Sequence, residues 1–200
     1  AGPVVGTLKI ECDAPGCNKL VRRVRIYSGM DRIDLVNDMD KQQELTPESV
    51  YFAFPFDVPD GQPRISVPFA VVRPEKDQLP GANRNYYCVQ RFVDISNADF
   101  GVTWITRDAP MLKFHPFKII GRGRGCLPAA TMMYDKTPSG VPEFCDRTID
   151  AGPFFYSWVM TNHWETNYKA YQEGPHRFAY TLLPHAEYDQ AAAQRGAKSV

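Results

Sequence analysis

Apolar and polar residues alternate with a period of two along most of the chain, and this pattern limits the fold more than any other feature. Such alternation is typical of β-strands that bury one face. Turn residues such as Pro, Gly and Asp separate the alternating segments. The predicted strands cover residues 7–11, 20–27, 32–37, 50–58, 65–71, 86–95, 100–106, 154–160 and 178–183. Roughly nine to eleven short strands of this kind predict an all-β fold, a large antiparallel β-sandwich, with a barrel as the alternative.

One segment departs from the period of two. Residues 188–195, with the sequence YDQAAAQR, are rich in helix-forming residues, and Gly196 follows directly. A glycine just after such a segment commonly ends a helix. The sequence therefore predicts one short C-terminal helix that stops at Gly196.

The segment from Arg73 to Pro110 is predicted to be a β-hairpin fed by a charged loop, residues 73–84. In the first strand of the hairpin, alternation places Arg91 and Asp94 on opposite faces, so they cannot form one ion pair. Each charge needs its own partner or water, because an unpaired buried charge is costly. We therefore expect the hairpin to support the loop, and the loop to be the better candidate for docking or for the rim of a site.

Length, charge and cysteine content exclude several classes of protein. The chain has 200 residues, which predicts a single domain covering residues 1–200, and its 23 basic and 23 acidic residues cancel. No basic surface for nucleic acid is expected, and no apolar run is long enough to cross a membrane. The opening AGPVVGTLKIE resembles mid-chain sequence entering a strand rather than a signal peptide, and it lacks a starting Met. Five scattered cysteines and the absence of an Asn-x-Ser/Thr acceptor favour a reducing compartment, and the bacterial cytoplasm over an exported location.

No familiar catalytic or metal-binding motif is complete in the sequence. Cys12 and Cys17 bracket a turn, but a zinc site needs two further ligands at suitable spacing. A structural thiol pair or a hairpin disulfide is the better interpretation of these two residues. The four histidines form no His-Glu-x-x-His pattern, and no Gly-x-Ser-x-Gly turn occurs. We expect neither a catalytic residue nor a metal site in this chain.

The segment from Asn162 to Glu173 has the composition that best suits a binding site. It combines aromatic rings with amide and carboxylate groups between two predicted strands. Sugars are bound by aromatic rings beneath their C–H faces and by polar groups at their hydroxyls. The alternative is a structural loop whose aromatic residues pack on the edge of the sandwich.

Several blocks of sequence, in order, resemble the C-terminal region of bacterial α-mannosidases of glycoside hydrolase family 38. The blocks are Ala14–Cys17 through Val24–Arg25 to Asp40–Lys41, Arg73–Ala82, Val89–Asn97, Phe100–Thr103, Asp108–Pro110, Asn162–Ala170, Gln172–Pro175 and Phe178-x-Tyr180. They span most of the chain, although Gly121–Asp150, which is predicted to be an insertion, matches no block. The resemblance implies a β-sandwich of the galactose-mutarotase type, a supersandwich, within a larger multidomain hydrolase.

In that family, a separate catalytic barrel carries the Asp nucleophile and a zinc ion held by His and Asp. No counterpart of these elements exists here, so the resemblance implies that the chain alone is inactive and that zinc belongs to the missing catalytic domain. The expected partners are that catalytic domain, on the same polypeptide, and mannose-containing glycans. The candidates for the substrate rim are Asp77, Arg84, Arg91, Asn162, His163, Trp164, Glu165, Asn167 and Tyr168.

Two alternatives to the docked domain stay open at this stage. One is a free-standing carbohydrate-binding module with an accessible aromatic platform, and the other is a scaffold domain that makes no sugar contact. Binding of mannose by the chain alone would separate the first from a docked domain.

Overall fold

The computed structural model describes residues 2–79, 82, 84, 86–114, 151–162, 169 and 171–200. These residues form twelve strands and one helix. The strands are β1 (Val5–Cys12), β2 (Cys17–Tyr27), β3 (Ile33–Lys41), β4 (Ser49–Pro55), β5 (Gln62–Val67), β6 (Ala70–Val72), β7 (Tyr87–Cys88), β8 (Phe92–Ser96), β9 (Gly101–Thr106), β10 (Met111–Lys113), β11 (Phe154–Thr161) and β12 (Gly174–His185), and the helix is α1 (Gln190–Lys198). The predicted insertion at 121–150 lies outside the described residues.

The strands form two antiparallel sheets of unequal size. The large sheet has eight strands in the order β1-β2-β3-β12-β9-β8-β5-β6, and the small sheet has four in the order β4-β11-β10-β7. Both sheets have open edges, so the structure confirms the sandwich and not the barrel. β4 is an edge strand that ends at Pro55, because proline lacks the amide hydrogen that a central strand needs.

Aromatic side chains fill the space between the two sheets. Trp104 of the large sheet is fully buried, stacks on Tyr180 at 5.1 Å and meets Phe54 of the small sheet edge-on at 5.1 Å. Phe155 packs against Trp104 from the same side at 5.2 Å. Burial of each such side chain stabilises the fold by roughly 2–3 kcal/mol. The Tyr180 hydroxyl, the polar group of this buried side chain, forms a 3.0 Å hydrogen bond with the Ser157 hydroxyl.

Helix α1 packs on the other face of the large sheet. Ala193 and Ala197 contact Phe92 and Ile105 there. Asp189 caps the helix by accepting a hydrogen bond from the Ala191 amide at 2.8 Å. Among the described residues, no helix is long and apolar enough to cross a membrane.

The prediction of one short C-terminal helix is confirmed, but its predicted end at Gly196 is wrong. The helix starts two residues later than predicted and continues through Gly196 to Lys198. A Cβ atom at Gly196 would lie 2.5 Å from Cδ1 of Leu183 on β12. The glycine therefore allows close approach of helix and sheet, and it does not act as a cap.

Two predicted strands are divided in the structure. Residues 86–95 separate into β7, in the small sheet, and β8, in the large one, because Tyr87–Cys88 pairs with β10 while Phe92–Ser96 pairs with β5 and β9. Residues 65–71 separate because Pro68 and Phe69 form the turn between β5 and β6. The β8–β9 hairpin itself is confirmed.

Asp94 on β8 is fully buried beneath the C-terminal segment, and it has the partners that the sequence required. Its carboxylate accepts hydrogen bonds from the Ser96 and Thr103 hydroxyls at 2.7 and 2.8 Å. His185 Nε2 lies at 2.7 Å and Arg64 Nη1 at 3.6 Å. This network joins β5, β8, β9 and the end of β12 on the face that α1 covers.

Gly101 is the backbone position that this network depends on. A Cβ atom there would lie 2.4 Å from Ser96 Cβ, 2.6 Å from His185 Cε1 and 2.8 Å from the Ile95 carbonyl oxygen. Gly101→Ala should therefore lower the free energy of unfolding by about 1–3 kcal/mol, as measured by urea denaturation. Gly6→Ala on β1, whose nearest contact would be an ordinary 3.4 Å, is the matched control. Equal stability of the two variants would contradict the conclusion that residue 101 has no room for a Cβ atom.

Candidate functional site

Asn162, the first residue of the predicted sugar-binding segment, holds another part of the chain in place. Its backbone amide donates to the Glu48 carbonyl at 3.1 Å, and its Oδ1 accepts from the Glu48 amide at 2.5 Å. Its Nδ2 donates to the carbonyls of Glu44 and Thr46 at 3.0 and 2.9 Å. The amide group is thus engaged by the backbone before β4. The other candidates of this segment, His163, Trp164, Glu165, Asn167 and Tyr168, lie outside the described residues.

Asp77, in the loop between β6 and β7, forms an ion pair with Arg73. The carboxylate accepts from the Arg73 backbone amide at 2.7 Å and from Nη2 of the same residue at 2.8 Å. The guanidinium of Arg73 lowers the pKa of Asp77 to about 2. The carboxylate is therefore ionised, and it fixes the start of the loop.

Arg84 lies in the same loop and belongs to a second ion pair. Its Nη1 is 4.0 Å from Oε1 of Glu75. The other Glu75 oxygen accepts from the Ala151 amide at 3.1 Å, at the entry to β11. Tyr87 donates its hydroxyl proton to Gln78 at 2.9 Å. The loop is therefore held to the small sheet at Tyr87 and at the entry to β11.

Arg91 lies apart from these residues, between β7 and β8. Its exposed side chain lines a cavity with the hairpin tip at Phe69 and with Gln194 and Lys198 of α1. Among the described residues, the cavity beside Asn162 shares no lining residue with it. The four described candidates thus occupy three places: the β6–β7 loop, the β7–β8 junction and the end of β11.

The outer face of the small sheet carries an aromatic cluster that the sequence analysis missed. Trp158 stacks on Tyr51 at 5.8 Å and lies tilted against Tyr86 at 4.7 Å, and Tyr156 meets Tyr51 edge-on. Only one face of β11 is buried. Alternation from Phe155 would have placed Tyr156 and Trp158 outside.

A second surface is aliphatic and lies on β1 and β2, and we call Leu8, Ile10 and Ile26 the aliphatic strip. Leu8 pairs with Val24, which pairs with Leu35, and Leu35 packs against the core between the sheets. Cross-strand partners share a face, so the strip continues the core-facing side of the large sheet. Leu8 is 60% exposed, Ile26 57% and Ile10 40%. This part of the face extends beyond the small sheet.

Within the described part of the chain, no group of three or more His, Cys, Asp or Glu side chains is arranged to hold a metal ion. Cys12, Cys17 and Cys88 are free thiols. Cys12 pairs with Leu20 and Cys17 with Lys41 in the sheet, so the hairpin disulfide considered from the sequence is absent.

The Asp77–Arg73 pair predicts a specific acid titration. The pKa of Asp77 in the folded protein lies below the ordinary value of about 3.9. The ion pair therefore stabilises the loop fully at pH values above about 3.9, and this stabilisation is lost as the pH falls towards about 2. Carbon NMR of the carboxyl group should show Asp77 titrating near the lower value. Arg73→Gln should return it to the ordinary value, and a normal titration of Asp77 in the unmodified chain would contradict the ion pair.

Comparison with known proteins gives a family match and two similar folds. The family described as "Glycosyl hydrolases family 38 C-terminal domain" matches residues 1–109. An α-mannosidase from Enterococcus faecalis V583 is similar with a TM-score of 0.57 and 14% identity, over 90% of this chain and 17% of that one. A glycosyl hydrolase family 38 protein from Enterococcus faecalis gives a TM-score of 0.56 and 13% identity, over 90% of this chain and 18% of that one. The chain thus spans less than a fifth of either protein, and no curated protein gives a significant sequence match.

Proposed function

Because the chain belongs to the family of glycosyl hydrolase family 38 C-terminal domains, we propose that it is the non-catalytic C-terminal β-sandwich of an α-mannosidase-like glycoside hydrolase. It packs on the catalytic domain of the same polypeptide and helps to shape the sugar site, while the catalytic residues and zinc belong to that other domain. The family match over residues 1–109 carries the proposal.

The aliphatic strip is the surface best suited to docking. Leu8, Ile10 and Ile26 have no polar group with which to recognise a sugar, and together they expose enough apolar area to contribute on the order of a few kcal/mol when covered. β1 is also an edge strand, so its outer backbone groups are available for pairing. A protein partner covers apolar side chains and pairs with a strand edge at the same time, whereas a sugar does neither.

The loop from Asp77 to Arg84 and the segment 162–168 are our candidates for the rim of the sugar site. The loop is supported by its ion pairs and by its contact with Ala151 at the entry to β11. Asn162 serves as the anchor of its segment, so sugar contacts are expected from the residues that follow it.

Docking through the strip predicts a defect that appears only in the intact enzyme. Leu8→Glu and Ile26→Glu place a charge where an apolar partner surface would cover it, so each should lower the thermal midpoint and kcat of the intact enzyme. In the chain alone the same changes should alter the free energy of unfolding by no more than about 0.5 kcal/mol, because both sites are exposed.

Leu45→Glu is the matched control, since Leu45 is 67% exposed but lies outside the strip. It should leave the intact enzyme unchanged. The chain alone, with zinc added, should hydrolyse no aryl α-mannoside. Turnover by the chain alone, or an intact enzyme that tolerates both strip variants, would contradict the proposal.

A carbohydrate-binding module is the second candidate, and the aromatic cluster around Trp158 favours it. Tyrosine and tryptophan combine apolar rings with hydrogen-bonding groups, as sugar recognition requires. If the cluster binds glycans, calorimetric titration of the chain with mannobiose should give measurable heat that Tyr86→Ala abolishes. Phe100→Ala, an exposed aromatic residue outside the cluster, is the control. No heat at millimolar sugar would exclude this candidate.

A further inference from the structure

A cavity of about 340 Å³ lies between the tip of the β5–β6 hairpin, the segment before β8 and helix α1. Its volume lies within the roughly 300–1,000 Å³ range of small-molecule sites. The polar and aromatic groups that line it are Ser66, Phe69, Gln90, Arg91, Phe92, Gln194 and Lys198. We call it the basic cavity.

The charges of the basic cavity have one sign. Arg91 comes from the segment before β8 and Lys198 from the helix, and no Asp or Glu among the described residues lines the cavity. Among residues 2–79, 86–114 and 171–200, no carboxylate forms a salt bridge with either cation, whereas Arg195 of the same helix has Asp189 at 3.6 Å. Two cations without a counter-charge in this part of the chain favour an anionic ligand.

Both walls are held in place by the fold. The Arg91 backbone amide donates to the Ser66 hydroxyl at 3.0 Å, and its carbonyl accepts from the Thr106 amide at 3.0 Å. Gln194 and Lys198 are four residues apart on α1, so they lie on one side of the helix. That helix is fixed to the sheet through the burial of Ala193 and Ala197. The cations and amides therefore project from rigid elements.

Phe69 gives the cavity an aromatic wall at a backbone position that suits glycine. It follows Pro68 in the two-residue turn, and its φ of 66° lies in the left-handed region that bulky side chains rarely adopt. Its ring is fully exposed, so no packing within the described protein offsets this strain. Strained residues of this kind concentrate at binding sites.

We propose that the basic cavity binds an acidic or phosphorylated monosaccharide. The carboxylate or phosphate lies between Arg91 and Lys198, the amides of Gln90 and Gln194 bond to sugar hydroxyls, and the ring of Phe69 packs on the C–H face of the sugar. This site is separate from the aliphatic strip, and it requires neither docking nor hydrolysis. A test of ligand binding at this cavity is therefore independent of any test of the proposed function.

Titration calorimetry of the 200-residue chain tests the ligand class with four probes: glucose 6-phosphate, glucuronate, inorganic phosphate and glucose. At least one anionic sugar should bind, and glucose should bind at least about tenfold more weakly. Raising the salt concentration from about 50 to about 200 mM should weaken binding of the anionic sugar, because the cations are exposed. Absence of binding by both anionic sugars at about 10 mM would overturn the proposal.

Variants test the assigned residues. Arg91→Gln and Lys198→Gln should each weaken binding about tenfold, while Arg195→Gln, on the same helix but outside the cavity, should not. Phe69→Gly should raise the urea midpoint of the chain by relieving the strained φ and should also weaken binding. Unchanged affinity in both cation variants would overturn the site. Phosphate binding as tight as that of glucose 6-phosphate, with no effect of Phe69→Gly, would overturn the sugar assignment.

Discussion

In the described part of the chain, a sheet of four strands packs on a sheet of eight and is too small to cover it, and most features of this structure follow from that mismatch. The small sheet packs on the large one through the aromatic core around Trp104, and α1 covers the opposite face near β8 and β9. At the far edge of the large sheet, β1 contains no buried residue. The apolar side chains there lie on the face that is core elsewhere. The sandwich is thus well packed at one end and has an uncovered apolar face at the other.

That asymmetry fits a domain of a larger glycoside hydrolase better than a self-sufficient module. An isolated sandwich would normally carry polar residues on an uncovered face, whereas this one carries Leu8, Ile10 and Ile26. The other two surfaces have different chemistry: an aromatic cluster on the small sheet and the basic cavity beside α1. Aliphatic, aromatic and basic surfaces suit three kinds of contact, and they are built on separate elements of the fold.

The strands were largely predictable from the sequence because alternation is a local signal. The division of residues 86–95 between two sheets was not, since the ladder partners of Tyr87 and Phe92 come from distant parts of the chain. Gly196 was taken for a helix end because its true role depends on contact with Leu183, which is remote in sequence. Pro68 interrupts the alternation of residues 65–71, but the sequence did not indicate a turn there, because a phenylalanine occupies a position that suits glycine.

In the candidate site, too, contacts between residues distant in sequence could not be predicted. The composition of the 162–173 segment suggested binding, but only the structure shows that the amide of Asn162 is engaged by Glu44, Thr46 and Glu48. Asp94 was expected to need partners, and those partners, His185 and Arg64 among them, come from other strands. The basic cavity joins residues about a hundred positions apart, so no local pattern could indicate it.

Amide hydrogen exchange along β1 and β2 tests the central claim most directly. It compares the chain alone with the same residues in the intact enzyme. If the uncovered end of the large sheet docks on the catalytic domain, the amides of β1 should exchange at least about tenfold more slowly in the intact enzyme, and those of β8 should change little. Equal exchange of β1 in the two states would contradict docking through this face.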